Sequence, residues 1–558
     1  MKIMKKKHLS DFLFLIMFTF CWMNLSAQIP YQQGFPINTG NNTSEPSPQV
    51  ADIDGDGDLE VLIGSGQNLF AYHHDGTPVA GFPVGVGGSA HYTPAIADID
   101  NDGEIEIVIA GQRSDLYVFN GDGTLKEGWP QNLGDDDGAC CSPALSDLDN
   151  DGDLEIVIGT YKDLNLNNDG ILARVYVFHH DGTIYDGWPV YDVDYTGVIG
   201  SPAIGDLDND GDLEIIVVGR EYSQVWAWNT DGTVLLGFPV DLPNFTESSP
   251  TLADIDDDGD LEIFIATQTE LVCALHHDGT SVTGWPQPMG GAAIQRSSPS
   301  IGDIDGDGDL EIVCGSWHGA VYAWHHNGTM VSGWPQPTGD IFQDFAQASP
   351  ALADIDSDGD IEIVAAAYTG VFAWHHDGTL LPDYPLETGW SRSSPTITDL
   401  DGDGDIEILI GSMDDNLYAW DLEGNYNTNN IEWSMFRYDL LNTGCYQNET
   451  TGIEEFPPDQ LLPASIVLHQ NYPNPFNPST TISFSLTTES TENTELIIYN
   501  LKGQKVKTFS NLPIYKSLKQ QIVWDGTDKN NQPVSSGIYF YKLKTGGEMI
   551  TKKMLLLE

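Results

Sequence analysis

The sequence predicts an all-β chain: a β-propeller of eight blades, with seven as the alternative, followed by a small C-terminal immunoglobulin-like β-sandwich. Three observations carry this. An Asp-rich nonapeptide recurs eight times at intervals of 45 to 59 residues. Each copy is followed by apolar runs and an Asp-Gly or Asn-Gly turn, enough for about four short strands. The last hundred residues lose the repeat and reverse the charge balance. Four strands per repeat match one propeller blade, and closure of such blades around an axis protects their sheet edges.

The nonapeptide is clearest at Asp303-Ile-Asp305-Gly-Asp307-Gly308-Asp309-Leu-Glu311, and its copies begin at Asp52, Asp98, Asp147, Asp206, Asp254, Asp303, Asp354 and Asp399. Four residues upstream of each stands the proline of a Ser-Pro or Thr-Pro: Pro48, Pro94, Pro143, Pro202, Pro250, Pro299, Pro350 and Pro395. Calcium takes six to eight hard oxygen ligands, which a short Asp-rich loop can supply. Positions 1, 3, 5 and 9 offer carboxylates, glycine at position 6 allows the sharp turn, and position 7 offers its carbonyl. The candidate metal residues are Asp52, Asp54, Asp56, Asp58 and Glu60; Asp98, Asp100, Asp102, Glu104 and Glu106; Asp147, Asp149, Asp151, Asp153 and Glu155; Asp206, Asp208, Asp210, Asp212 and Glu214. They continue with Asp254, Asp256, Asp258, Asp260 and Glu262; Asp303, Asp305, Asp307, Asp309 and Glu311; Asp354, Asp356, Asp358, Asp360 and Glu362; and Asp399, Asp401, Asp403, Asp405 and Glu407. About one calcium per repeat, up to eight, is the expected cofactor. An EF-hand or dockerin loop needs its closing acid at position 12, where this chain has Ile63, Ile109, Ile158, Val217, Ile265, Cys314, Ala365 and Ile410. That alternative fails.

Residues 1–27 have a basic start, an apolar run from Phe12 to Met23, and Leu25-Ser26-Ala27, which reads as a cleaved secretory signal peptide. No later apolar run approaches the length of a membrane helix, so a secreted or surface-attached chain without a transmembrane span is expected. The formal net charge is −62, and residues 28–458 hold 75 acids against 8 Lys and Arg. The eight loops supply 40 of those acids, so the charge reflects metal sites, and nucleic acid is not an expected partner. Carboxylates crowded near 4 Å repel by roughly 4 kcal/mol per pair at an effective dielectric of 20, so folding should depend on the metal. After signal removal five cysteines remain, Cys140, Cys141, Cys273, Cys314 and Cys445, without the spacing of a disulfide framework.

Within each repeat the loop is followed by runs such as Leu154-Glu-Ile-Val-Ile158 and Val321-Tyr-Ala-Trp324, a turn such as Asp377-Gly378-Thr379, and then Gly-Trp-Pro or a variant. An additional Gly34-Phe35-Pro36 at the start and Glu432-Trp433-Ser-Met-Phe436 at the end leave open which of them closes the ring as an outer strand. The third repeat carries an insertion between Lys162 and Arg174, and long loops on a rigid ring often hold binding sites. Five His-His pairs, at His73, His179, His276, His325 and His375, precede the turns. Neighbouring side chains on a strand point to opposite faces, which favours hairpin residues over chelators.

The Ala-Asp-Ile-Asp-x-Asp-Gly-Asp-x-Glu repeats with their Ile-Val-Ile-Gly strands resemble the FG-GAP/VCBS family of integrin-type calcium propellers over roughly residues 30–446. That resemblance implies ligand roles for Asp303, Asp305, Asp307 and Glu311 and their equivalents. The propeller is placed at 28–446, a Pro-containing linker at 447–463 and a second domain at 464–558, with strands at 481–486, 495–499, 521–524 and 537–543. Its Asn471-Tyr-Pro-Asn-Pro-Phe-Asn-Pro478, Tyr499-Asn-Leu-Lys-Gly-Gln504, Trp524-Asp-Gly526 and Ser536-Gly-Ile-Tyr539 resemble the type A sorting domain of the type IX secretion system. The resemblance implies that secretion machinery as a partner and export across the outer membrane.

Nearly every chemically suggestive residue belongs to the repeat, which favours a non-catalytic binding or adhesion protein with a glycan or protein ligand. The alternatives are a calcium-dependent polysaccharide lyase or hydrolase and a structural surface-layer protein. Catalysis requires single-copy groups that converge on one cleft. The candidates are His91, Arg113, Lys162, Arg174, Arg220, Arg296, His318 and Arg392, with Trp317 and Tyr222 as sugar-stacking surfaces.

Overall fold

The computed structural model describes residues 29–446 and 466–556, apart from short internal stretches of which the longest are 163–172, 469–477, 487–494 and 511–519. The expected signal peptide, the linker, most of the third-repeat insertion and the Asn471–Phe476 motif lie outside the described residues. By contact the chain divides into two units that part between Pro458 and Asp459.

In the first unit each repeat folds into its own antiparallel sheet. The sixth is representative: Ser300–Gly302, Glu311–Ser316, Ala320–His325 and Gln336–Pro337 follow one another outward, in the register Ile301↔Ile312, Val313↔Ala323 and Val321↔Gln336. Every residue of Glu311–Ser316 is buried, because neighbouring sheets cover both faces. This explains why the second strands read as continuous Ile/Val runs rather than an alternation. The cores lie between sheets; one joins Phe264 and Trp285 to Ile312 and Trp324, and continues to Ile363 and Trp374.

Eight such sheets succeed one another, and the Ser-Pro and Thr-Pro residues link them in a closed cycle. The N–H of Ser47 donates to the hydroxyl of Thr93, Thr93 to Ser142, Ser142 to Ser201, and Ser201 to Ser249. Ser249 donates to Ser298, Ser298 to Ser349, Ser349 to Ser394, and Ser394 back to Ser47, all at 2.9–3.2 Å. Each hydroxyl thus satisfies a buried N–H of the preceding repeat, which an alanine there would leave unpaired.

The two open ends of the sequence behave differently. Ile37–Asn38 pairs with Asn416–Leu417 as the outer strand of the eighth sheet. Gly34, at φ +89°, lies so close to the Asp75 carbonyl of the first repeat that an added Cβ would sit 2.0 Å from it. The N-terminal Gly-Phe-Pro therefore closes the ring. Glu432-Trp433 lies instead at the innermost edge, pairing with Ala351–Ala353 of the seventh sheet. From there the chain runs along the axis. Ser434, Leu440, Leu441, Thr443 and Gly444 accept through their carbonyls from Ile397, Ile96, Leu145, Ile204 and Leu252, inner-strand residues of five different sheets. Asn442 donates to the carbonyls of Pro94 and Pro143 and accepts from Gln49. The buried guanidinium of Arg437 donates to those of Pro202 and Pro250. The five cysteines among the described residues are buried and outside any disulfide, so Cys140 and Cys141 form no bridge.

The second unit has two antiparallel sheets, Ile466–Leu468/Thr480–Leu486/Gln520–Trp524 and Lys505–Ser510/Glu495–Asn500/Gly537–Thr545/Glu548–Leu556. Ile482 and Trp524 of the first share a core with Leu496, Ile498 and Tyr541 of the second.

Candidate functional site

All eight Asp-rich segments connect an inner strand to the next strand, and all eight adopt one conformation. Position 4 is left-handed in every copy, with φ of 53–74°, and is Gly, Asn, Asp or Ser, the residues that best tolerate it. Position 6 is glycine at φ 92–100°. Its N–H donates to the position 1 carboxylate throughout, as from Gly308 to Asp303 at 3.0 Å and from Gly103 to Asp98 at 2.8 Å. The position 9 glutamate is buried and accepts from the N–H of position 2, as Glu311 does from Ile304 at 3.2 Å.

The second oxygen of that glutamate faces the next hairpin. Nδ1 of His73, His179, His276, His325 and His375 lies 2.8–3.0 Å from Glu60, Glu155, Glu262, Glu311 and Glu362. The second histidine of each pair, His74, His180, His277, His326 or His376, lies 2.9–3.9 Å from the position 7 aspartate of the same loop. The expectation that strand alternation separates the pair is therefore corrected. The second histidine already lies in the turn, where period-two alternation no longer applies, and both flank one loop.

The residues suit a hard cation. Asp54, Glu60 and His73 bring one ligand atom each within 4.8 Å of one another, as do Asp149/Glu155/His179, Asp256/Glu262/His276 and Asp305/Glu311/His325. One carboxylate oxygen of Asp208, Asp254, Asp303, Asp354 and Asp399 is buried with no hydrogen-bond partner. Such acceptors need a cation or a donor. The position 7 carboxylates point at histidines in five copies, so their contribution to a metal would come through the carbonyl.

Burial, reinforced by neighbouring aspartates, pushes the position 9 glutamates up: to about 7 for Glu60, Glu106, Glu155, Glu262 and Glu311, about 8 for Glu214 and Glu407, and about 9 for Glu362. Between the ordinary 4.5 and these values the metal-free folded chain holds protons that the unfolded chain has released. Its stability therefore falls as pH rises through that window. A metal-loaded chain requires the ionised form, so its dependence has the opposite sign. Melting in chelator is expected about 5 °C or more higher at pH 5.5 than at pH 8.5, and the order should invert with calcium. Parallel slopes in the two conditions would contradict this assignment.

A second constellation lies at the other end of the strands. Two residues before the Ser/Thr cycle, the repeats differ from one another: Glu45, His91, Glu247, Arg296 and Arg392 occupy this one register position. Arg296 reaches Glu247 at 2.9 Å and Glu45 at 3.8 Å; Arg392 reaches Glu45 at 2.9 Å. Arg220, from the hairpin after the fourth sheet's second strand, reaches Glu247 at 2.7 Å, and His91 reaches Glu45 at 3.2 Å. His91 first, then Arg296 and Arg392, hold Glu45 down to about 2 against the opposing effect of burial. The Arg392 guanidinium also lies 4.4 Å from the Trp390 ring.

Of the single-copy candidates, His91, Arg220, Arg296 and Arg392 are thus brought together. Arg174 is not; it donates to the Tyr176 hydroxyl at 2.8 Å. Tyr222 is exposed. Arg113 and the Lys162 side chain lie outside the described residues. Glu45, Glu247 and Trp390 escaped the sequence reading, although a constant offset from a repeated Ser-Pro was visible there.

The fold and loops define a repeat β-propeller followed by a second β unit. The FG-GAP-like repeat model matches residues 52–109, 98–158, 206–265, 254–314, 303–365 and 354–410. The chain belongs to that family. The secretion system C-terminal sorting domain matches residues 470–557, which marks a type IX secretion substrate destined for export and the cell surface. No curated protein matches the sequence. Among solved structures, Saccharomyces cerevisiae Sqt1 aligns with a TM-score of 0.52 at 12% identity, over 71% of this chain and 99% of its own. The Dos1 propeller aligns at 0.45 and 10% identity over 72% and 96%, and the V. cholerae biofilm matrix protein Bap1 at 0.41 and 14% over 72% and 92%. At such identities the first alignment speaks for the fold alone. No helix among the described residues is long and apolar enough to cross a membrane.

Proposed function

We propose that this protein is an exported, surface-attached binding propeller of eight blades, stiffened by calcium in its loops. Its ligand site is the charged mouth formed by Glu45, His91, Arg220, Glu247, Arg296 and Arg392. The observation that carries the reading is convergence: three of only eight Lys and Arg residues in 28–458 meet there, on segments whose register is otherwise repetitive. A rigid ring whose repeats diverge in charge at its mouth has the form of a recognition surface. Paired guanidiniums and carboxylates beside Trp390 offer donors, acceptors and a stacking face, which suits a glycan bearing hydroxyls and carboxylates.

Retention of the full chain on acidic polysaccharides, with calcium present, should weaken at least tenfold in Arg296→Ala. The melting temperature should change by no more than a few degrees. Unchanged retention in Arg296→Ala and Arg220→Ala would remove the mouth from consideration. The His91–Glu45 pair keeps a second reading open, calcium-dependent cleavage of the same glycan. New reducing or unsaturated ends that disappear in His91→Ala would favour it.

A further inference from the structure

The second loop holds an ammonium group on its carboxylates, which no other loop does among the described residues. At the position where five repeats place the first histidine of a pair, the second repeat has Asn120, whose side chain turns away to donate to the Thr124 hydroxyl at 2.8 Å. Its place beside the glutamate is taken by Lys126, six residues further on. The Lys126 ammonium lies 2.6 Å from Asp100 Oδ2 and 3.0 Å from Glu106 Oε1, with its side chain only 14% exposed. These are positions 3 and 9 of the loop. The same register position holds Val79, Val282, Val331 and Leu381 in the first, fifth, sixth and seventh repeats, all of them buried core residues.

The fourth repeat provides a control within the chain. There Asn229 also turns to its own turn threonine, at 2.9 Å from Thr233, but the register partner of Lys126 is Leu235. Among the described residues no cation is tethered at that loop; one Asp208 oxygen is buried without a partner, as one of Asp100 is.

We propose that Lys126 is a built-in cation that takes the place of the divalent ion in the second loop. This repeat is then ordered without metal, and the chain binds one ion fewer than it has loops. An ammonium on the position 3 and position 9 carboxylates occupies two oxygens that an incoming ion would need, and repels that ion at contact distance. One oxygen of Asp100 still lacks a hydrogen-bond partner. The loop therefore keeps some capacity for a cation once the ammonium is removed.

The test is ion stoichiometry of the full chain after equilibrium dialysis against millimolar calcium, by elemental analysis. The wild type should hold seven ions, eight loops less one, and Lys126→Met should hold eight; Met keeps the buried stem and removes the charge. Conversely, Val282→Lys should lower the count by one. Equal counts in the wild type and Lys126→Met, or eight in the wild type, would overturn the proposal. Hydrogen exchange gives an independent readout on the wild type alone. On adding chelator, the amides of 98–106 should keep their rates within about twofold, while those of 303–311 accelerate at least tenfold. Equal acceleration of both would also overturn it.

Discussion

Chelation is expected to lower the melting temperature of the propeller by about 20 °C. Each occupied loop contributes roughly 2.7 kcal/mol at a hundredfold excess of free ion over its dissociation constant, so seven loops give on the order of 19 kcal/mol. For a unit of roughly 400 residues, at about 2.1 cal/mol/K per residue, this corresponds to a shift of about 20 °C. The geometry behind the figure is the repeated hydrogen-bond scheme. Position 1 and position 9 carboxylates are already fixed by N–H donors of their own loop, so the oxygens are arranged before the ion arrives. The same arrangement holds like charges together when the ion is removed. Scanning calorimetry in calcium and in chelator measures the difference, and coincident transitions would contradict the metal assignment.

The second large effect is expected along the axis. Arg437 is buried within the ring and donates to carbonyls from the fourth and fifth repeats, while Asn442 joins the first, second and third. Arg437→Leu removes the donors and leaves both proline carbonyls dry, at about 1–3 kcal/mol for each unsatisfied group. A loss of about 4 kcal/mol, or roughly 5 °C, should follow. Replacing residues 431–446 by a Gly-Ser linker of equal length removes the contacts to all eight inner edges. That variant is expected to lose its single cooperative transition, as read by calorimetry and by near-ultraviolet circular dichroism. A cooperative melt within 3 °C of the wild type would show that the axial segment is dispensable.

Much of this architecture was legible because repetition averages out the ambiguity of any one segment. A lone Asp-Gly run such as 98–106 reads as a polar turn, but eight in one register with a fixed Ser-Pro upstream define a loop, its strand and its period. The role of that serine was not legible. A hydroxyl that bonds to the N–H of a residue about 50 positions earlier leaves no local pattern. The histidine pairs misled for a related reason: the strand ends at the first histidine or just before it, and a one-residue shift of that boundary decides whether period-two alternation applies. Lys126 was invisible because an amphipathic side chain in an apolar register position reads as an ordinary surface lysine. The mouth required both kinds of information, since Glu45 and Arg392 lie 347 residues apart and are joined only by closure of the ring. Glu432-Trp433 was a candidate for the closing outer strand, yet it pairs at the inner edge of the seventh sheet.

The most direct test of the binding surface is hydrogen exchange on the calcium-loaded full chain, with and without a retained acidic polysaccharide. Protection should appear in the segments at 44–47, 91–93, 246–249, 296–298 and 391–394, with the metal loops at the opposite strand ends unchanged. Protection confined to those loops, or to residues 466–556, would contradict the account.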